Sequence, residues 1–514
     1  MWRSDLEDGL VSTARAPLGS GPSPHAVREN LAVETATQTL HRLTSIDRAF
    51  ADSAQREWTA PVDDPRVVQG FEANDLDRFP WFYKRYDRDL PTVSLPRELP
   101  TTTPSTVAMM AGTAAVPPGA LDLPQLSRLL HLSAGVVRTM ERPYATWLFR
   151  AAGSAGGRFP MELYVAVPEG HDLEPGVHWY QPEAHALVRV GPPPTGGVPT
   201  VVVTGVPWRT GWRYRERGYR HIYWDTGTML SQLLAVATSA GIEPALFTRF
   251  PDAAVASLVG ADGVHEWPVA VVALGRDTPA IDATGPAVAG RVDDAPVEFP
   301  LETAAQRAGD MTVLGDPWER PDPVETPIQD GPSIDTVVLS RGSSRLLDPS
   351  KSISNDVFRT SMLAAMRGVD VSHTVAVHAV DGMAPGIYRW PERAPRREGN
   401  VREELYRLAL EQELAQDAAF VTIATADVGA LDDRSYREAQ LGAGIVEGRL
   451  HLLAYALGAA ASGMTFADSE LADVVGERVD GLLLTCVGVP EYASAPGGAP
   501  GEPTRVRSVT PRSS

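Results

Sequence analysis

Two stretches of this 514-residue chain repeat one another, and the repeat constrains the fold more than any other property of the sequence. Arg217, Tyr219, Arg220, Gly227, Leu233, Ala237 and Gly241 recur at a constant offset as Arg434, Tyr436, Arg437, Gly444, Leu450, Ala454 and Gly458. The match resumes one residue shorter, with Asp252, Val255, Leu258 and Gly260 answered by Asp468, Leu471, Val474 and Gly476. Each copy reads as an amphipathic or buried helix, a loop, a short helix ending in glycine, and an apolar strand, at residues 269–274 and 482–487. The helices carry Met229, Leu230, Leu233 and Leu234 in one copy and Leu450, Leu452, Leu453 and Leu457 in the other. Both are apolar over more than one stripe, so a lone copy would leave an apolar face in water. Packing the copies together covers both faces, and the expected class is α+β, two similar domains fused into an intrachain pseudo-dimer.

Length agrees, because 514 residues exceed one ordinary hydrophobic core. We expect a disordered N-terminus at 1–38, an N-terminal extension at 39–100, a first domain at 101–275, a Pro/Asp/Gly-rich linker at 276–334, a second domain at 335–490 and a C-terminal tail at 491–514. The formal net charge of -19 argues against a nucleic-acid partner, which needs a basic surface. Cys486 is the one cysteine and lies in an apolar run, so disulfides and cysteine metal sites are excluded and a buried inert thiol is expected. No metal site is expected. The first residues lack a basic start and apolar core, and no run is long enough to cross a bilayer, so the chain reads as cytoplasmic. Lys84 and Lys351 are the two lysines, and roles usually filled by lysine are expected to pass to arginine.

One segment stands out chemically. In Arg341-Gly342-Ser343-Ser344-Arg345 the residues Arg341, Ser343 and Arg345 alternate, so an extended backbone turns all three to one side and offers two guanidinium forks and a hydroxyl to an anion. Taken alone, it reads as a solvated Arg/Ser loop. Around it, RGSSRLLDPS, RSYREAQLGAGIVEGRLHLLAYALG and ASGMTFADSELADVVG make the second half resemble the nitroreductase superfamily over about its whole length. In the first half, LHRLTS, FYKRYDRDLPTVSLP, GSAGGRFPMELYVAV and WRYRERGYRHIYWDTG resemble the SagB-type dehydrogenases of azoline peptides.

The resemblance implies two nitroreductase-like domains, each with a central mixed or antiparallel sheet flanked by helices, and FMN at their interface. An Arg-x-Ser-x-Arg segment then comes from one copy and a Ser-Ala-Gly turn from the other. It further implies that Arg341 and Ser343 hold the phosphate and ribityl end, and that Arg345 lies near the pyrimidine edge, where a fixed positive charge favours a reduced anionic ring. Gly463, Met464 and Thr465 match the loop near the reactive N5, and Arg505 and Arg507 match a C-terminal basic pair that reaches the phosphate.

The copies have diverged in opposite directions. Where the first half should carry the basic arm it reads STVAMMAGTAAVPPGALDLPQL, with no arginine or lysine, yet it keeps Gly153-Ser154-Ala155-Gly156-Gly157, whose small residues and N–H groups let the main chain approach a flat ring. The second half lacks such a turn in MLAAMRGVDVSHTVAVHAVDG. One composite site is therefore expected, Arg341, Ser343 and Arg345 facing Ser154, Ala155 and Gly156, with the counterpart site empty.

Azoline dehydrogenases carry a Lys-Tyr pair just before the Arg-x-Tyr-Arg motif, and here Arg213-Tyr214 stands in that place, against Ala430 and Leu431 in the second half. Arginine is a poor base, which leaves Tyr214 as the proton acceptor, activated by the Arg213 charge. The same trio Trp212-Arg213-Tyr214 also reads as a stacked aromatic and cationic cluster. His221, His41 and Arg42 read as structural. What the resemblance implies is oxidation of a thiazoline or oxazoline in a ribosomally made peptide, with a leader peptide or a cyclodehydratase as further partners. Two alternatives stay open: an NAD(P)H-dependent nitro or quinone reductase, and a flavin-poor scaffold of a peptide-modifying complex.

Overall fold

A computed structural model of the protein describes residues 34–47 and 75–509. Most of the segment expected to be disordered, 1–38, and part of the 39–100 extension lie outside these residues. Two antiparallel sheets dominate. The first comprises β1 (Thr92–Ser94), β4 (Met161–Val167), β5 (Gly176–Gln181), β6 (Ala186–Gly191), β7 (Thr200–Gly205), β8 (Pro244–Phe247) and β9 (Trp267–Leu274), ordered β1-β6-β5-β4-β7-β9-β8. The second comprises β10 (Ser372–Val377), β11 (Gly386–Arg389), β12 (Arg397–Glu398), β13 (Phe420–Ala426), β14 (Ala460–Met464) and β15 (Asp480–Gly488), ordered β12-β11-β10-β13-β15-β14. Apart from β1 the orders are the same. The two fused domains expected from the repeat are present, and both expected apolar strands form, as β9 and β15. The expected loop after each long helix instead contains a short edge strand, β8 or β14. Neither alternates apolar with polar residues, so no period marked them as strands.

The repeated helices run over Gly218–Ser239 and Asp433–Ala456 and pack directly on each other. A methyl at Gly227 would stand 2.6 Å from the Ile445 backbone nitrogen, and one at Gly444 would stand 2.7 Å from the Trp224 Cα. The glycines that recur in the repeat are thus the points where two backbones touch, which only a residue without Cβ allows. The central core is continuous across this crossing, with Met229, Leu230, Leu233 and Val236 meeting Ile445, Val446, Leu450 and Leu453. At roughly 1.5–3 kcal/mol per fully buried large apolar side chain, this shared layer binds the halves into one unit. Each outer sheet face carries its own smaller apolar cluster.

The remaining repeat residues explain themselves at the two ends of the crossing. Arg217 and Arg220 of the first half reach Asp468 of the second at 2.8 and 3.0 Å, and Arg434 and Arg437 of the second reach Asp252 of the first at 2.8 and 3.2 Å. Burial would raise the Asp468 carboxyl, but the two guanidinium groups overrule it and hold the group at about 2. Each half therefore supplies the anion that the other half's arginines need.

Residues 276–334, expected as a linker, are not a spacer. They contain the helix Pro300–Ala308, whose Glu302 and Gln306 are buried against the first half, with Gln306 accepting from the Tyr223 hydroxyl at 2.8 Å. Proline and acidic residues gave this stretch the composition of a linker, yet proline at a helix start is compatible with the fold. A third, small sheet pairs β2 (Val136–Arg142) with β3 (Ala145–Arg150), and β16 (Thr504–Arg505) of the tail runs parallel to β2. No helix among the described residues is long and apolar enough to cross a membrane.

Candidate active site between the halves

Where the β2–β3 hairpin ends, the chain turns through Gly153-Ser154-Ala155-Gly156-Gly157 before entering β4. This turn meets the second half. A Cβ on Gly153 would stand 3.5 Å from Thr228 Cγ2, 3.7 Å from Arg341 Nη1 and 3.8 Å from Ser343 Oγ. Gly153, at the start of the turn, thus lies beside Arg341 and Ser343 of the basic segment, across residues far apart in sequence. Gly156 has φ 59° and faces the other expected pair, with its missing Cβ 2.8 Å from Arg213 Cδ and 2.9 Å from the Tyr214 hydroxyl oxygen.

The three alternating residues do not share one environment. Arg341 follows the helix Ile334–Ser340 and is 3% exposed, its Nε donating to Gln232 Oε1 at 2.8 Å and its Nη2 to the Ala151 carbonyl. Burial, and next the nearby Arg138, pull its ionisation down to about 10, so it remains a cation at neutral pH. Ser343 and Arg345 are exposed. The cause is that Arg341 is gripped from the first half while Ser344, between the other two, anchors inward through its N–H to the Ala461 carbonyl. Among the described residues no carboxylate pairs with Arg213, Arg341 or Arg345. Three guanidinium groups without counter-ions around one turn suit a bound anion.

Ser154 and Ala155, expected to face the basic segment, have their donors engaged within the first half. Asp225, on the first long helix, accepts the Ser154 hydroxyl and the Ala155 N–H, the latter at 3.0 Å, while Ser154 Oγ accepts the Phe159 N–H at 2.7 Å. Asp225 is 4% exposed, and burial lifts its carboxyl to about 7. The expected activation of Tyr214 by Arg213 also needs correction. Burial pushes the Tyr214 phenol above its ordinary value and outweighs the lowering by Arg213, so at neutral pH it is a neutral hydroxyl. The ring is stacked at 4.0 Å on His221, which is buried, and burial takes that histidine down to about 3, so it is a packed neutral group.

Of the loop 463–465, Gly463 comes nearest the others, since a Cβ there would stand 2.8 Å from Glu447 Oε1 and Glu447 accepts the Thr228 hydroxyl. Burial would raise Glu447, but His451, Thr228 and Arg341 together hold it below the usual range. Met464 joins the outer core of the second sheet, and Thr465 accepts from Arg217 at 3.3 Å. Arg505 and Arg507 are exposed on and beyond β16, and no hydrogen bond or ion pair joins either to Arg341 or Ser343. Sequence motifs passed over Asp225, Thr228, Gln232 and Glu447. A signal existed for three of them: Asp225, Thr228 and Gln232 sit at i, i+3 and i+7, a polar stripe along one side of the helix.

The counterpart position, expected to be empty, is taken by the chain itself. Gly157 and Gly368 each stand four residues before the corresponding strand, β4 and β10, and both are left-handed at φ 64° and 67°. Trp318, from the 276–334 segment, donates its indole N–H to the Gly368 carbonyl at 2.9 Å and its backbone N–H to the Leu246 carbonyl at 2.6 Å. Its ring approaches Gly442, which corresponds to Asp225 in the repeat. Pro321 accepts from Arg367 at 2.8 Å, and Val324 donates to the Ala111 carbonyl at 2.9 Å.

No protein-family model matches the chain. A provisionally assigned nitroreductase from Methanocaldococcus jannaschii is 28% identical over 171 residues, which are 30% of this chain and 81% of that protein. A solved structure, a provisionally assigned nitroreductase from Anabaena variabilis, superposes with a TM-score of 0.70 at 24% identity, covering 89% of this chain and 100% of that one. The chain has the nitroreductase fold. Because one solved chain spans both halves, the fused arrangement is not peculiar to this sequence.

Proposed function

We propose that the protein is an FMN-dependent oxidoreductase with one composite site per chain, and that it oxidises a thiazoline or oxazoline ring in a ribosomally made peptide to the aromatic azole. The observation that carries the reading is the approach of Arg341 and Ser343 of one half to Gly153 of the other. The residues suit FMN: Arg341, Ser343 and Arg345 are donors for the phosphate end, and glycines in the turn let its backbone come close to a flat ring. FMN, when bound, supplies the acceptor for the hydride that leaves the azoline ring carbon.

The chain's own contribution is to orient and to manage the accompanying proton. Gln232 and the Ala151 carbonyl hold the Arg341 fork in one direction, which limits the orientations a phosphate can take. Tyr214, pinned by His221 behind it, holds a proton at its Oη beside Gly156. As a base it would act only in its ionised form, and its raised pKa means azoline oxidation should accelerate as pH rises above neutral.

The same neutral phenol is a ready proton donor, which favours a second reading, reduction of a quinone or nitro compound with NAD(P)H as electron source. Purified protein separates the two. About one FMN per chain, with turnover of an azoline peptide that climbs toward alkaline pH, supports the first. Rapid flavin reduction by NADPH with no azoline oxidation supports the second, and a colourless protein that takes up no FMN would falsify both in favour of a scaffold.

A further inference from the structure

Asp225 is an unusual residue for the place it occupies. It sits on the inner face of the first long helix, buried, and among the described residues no cation pairs with it. A buried carboxylate without a counter-ion is costly, and the burden is eased here by hydrogen bonds to one segment, the 153–157 turn. That turn needs holding. Gly156 and Gly157 are left-handed, and so is Phe159 at φ 47°, a backbone region that a residue with a Cβ seldom adopts. Asp225 fixes the turn's start through the Ala155 N–H, and through Ser154 it fixes the far end, because Ser154 Oγ accepts the Phe159 N–H while donating to Asp225.

Three elements meet at the turn so held: Arg341 and Ser343 beside Gly153, Tyr214 and Arg213 beside Gly156, and the rings of Trp147 and Phe149 beside Gly157. In the counterpart half, the Ser-Ala pair and the carboxylate are missing together, Gly442 standing where Asp225 would be. A tie that served folding alone would not need to disappear with the site.

We propose that Asp225 is the positioning residue of this site, setting through Ser154 and Ala155 the shape of the turn against Tyr214 and Arg341, and that its ionisation makes flavin affinity depend on pH. The inference rests on the flavin reading of the site. The groups that face or flank Asp225 are Ser154 and the Ala155 N–H on the turn, Glu447 on the second long helix, Tyr214 with Arg213 behind it, and His221 one turn earlier on its own helix. Of these, Glu447 is held below the usual carboxylate range and is ionised near neutral pH, while Tyr214 and His221 stay neutral. That leaves Asp225, raised by burial to about 7, as the group in this set that changes charge there. Ionised, it accepts both donors strongly; protonated, it gives up part of that hold.

The test is titration of the full chain with FMN, read by quenching of flavin fluorescence between pH 5.5 and 8.5 (roughly one and a half units either side of that pKa), for wild type, Asp225→Ala, Asp225→Asn, Ser154→Ala and the Ala/Ala double variant. Wild type should bind FMN several-fold more weakly below pH 7 than above it. Asp225→Asn, which keeps an acceptor for Ala155 but cannot ionise, should lose the part of the step due to Asp225. Ionisation of the FMN phosphate is common to both and cancels in the comparison. Asp225→Ala and Ser154→Ala should each weaken binding about tenfold, and the double variant little more than either, because they break one network. Wild-type affinity and pH profile in Asp225→Asn together with additive losses in the double variant would overturn the proposal, and melting curves show whether Asp225→Ala is folded. If wild type itself binds no FMN, it is the flavin reading that fails, and the two failures are thus told apart.

Discussion

The two grooves between the halves began as equivalent positions and now do opposite things. One brings Arg341 and Ser343 beside Gly153, and Tyr214 beside Gly156. The other is filled by Trp318 and Pro321, with Gly442, Leu431 and Ala430 standing where Asp225, Tyr214 and Arg213 stand in the first. What did not diverge is the frame. The glycine crossing of the long helices and the reciprocal Arg–Asp pairs are the same in both halves. Divergence was tolerated where a ligand would sit and resisted where backbones touch or charges are buried, because the latter positions hold both halves at once.

The largest effect should come from breaking that frame. Asp468→Ala leaves Arg217 and Arg220 buried without their anion, and should cost about 3–5 kcal/mol in denaturant unfolding. Asp252→Ala should cost a similar amount through Arg434 and Arg437, and a much smaller loss at one site would break the symmetry argued here. The same pair sets an acid limit. Asp468 is held at about 2 in the fold against 3.8 ordinarily, so its contribution is full above about pH 5 and is lost as pH falls from there through 2. Asp468→Asn should flatten that part of the stability profile.

Next is Gly444→Ala, whose methyl would press on the Trp224 backbone. A loss of about 1–3 kcal/mol is expected from overpacking, seen as a lowered Tm, and Gly227→Ala should match it. Arg341→Ala addresses the first groove: removing a charge-assisted donor should weaken FMN by about 10- to 100-fold, a loss of ~1.5–3 kcal/mol, with the Tm of the flavin-free protein changed far less. Smallest is Trp318→Ala in the filled groove. Trp318 is half-buried, so about 1–2 kcal/mol of stability should go, with FMN still one per chain because no arginine replaces Arg341 there. A second equivalent of FMN in that variant would show that the plug alone, and not the lost arginine arm, closes the groove.

Much of the frame was legible because it is local and repeated. Helix period, the glycine ends and the two apolar strands lie in runs of neighbouring residues, and the second copy doubled each signal. The edge strands β8 and β14 were not legible, since runs of four and five residues without apolar–polar alternation show no period. Nor was the role of 276–334, whose composition resembles a spacer but whose Trp318 and Gln306 found places against surfaces that sequence does not display. In the site, the motifs found the basic segment, the turn and Tyr214. They did not find Asp225 or Gln232, because a buried acid or amide is defined by its partner, and those partners are 71 and 109 residues away.

The sequence by itself determined that the chain is a duplicated α+β protein whose halves cover each other's apolar helices, and that each half kept only part of a chemical set. Both follow from residue type and spacing, which the chain carries wherever it goes. The tertiary structure decided which parts meet, which donors are already engaged, and how burial moves Tyr214, Asp225 and Arg341 from their ordinary acidities. Those outcomes depend on distances between segments and on exclusion of water, which exist only once both halves have packed.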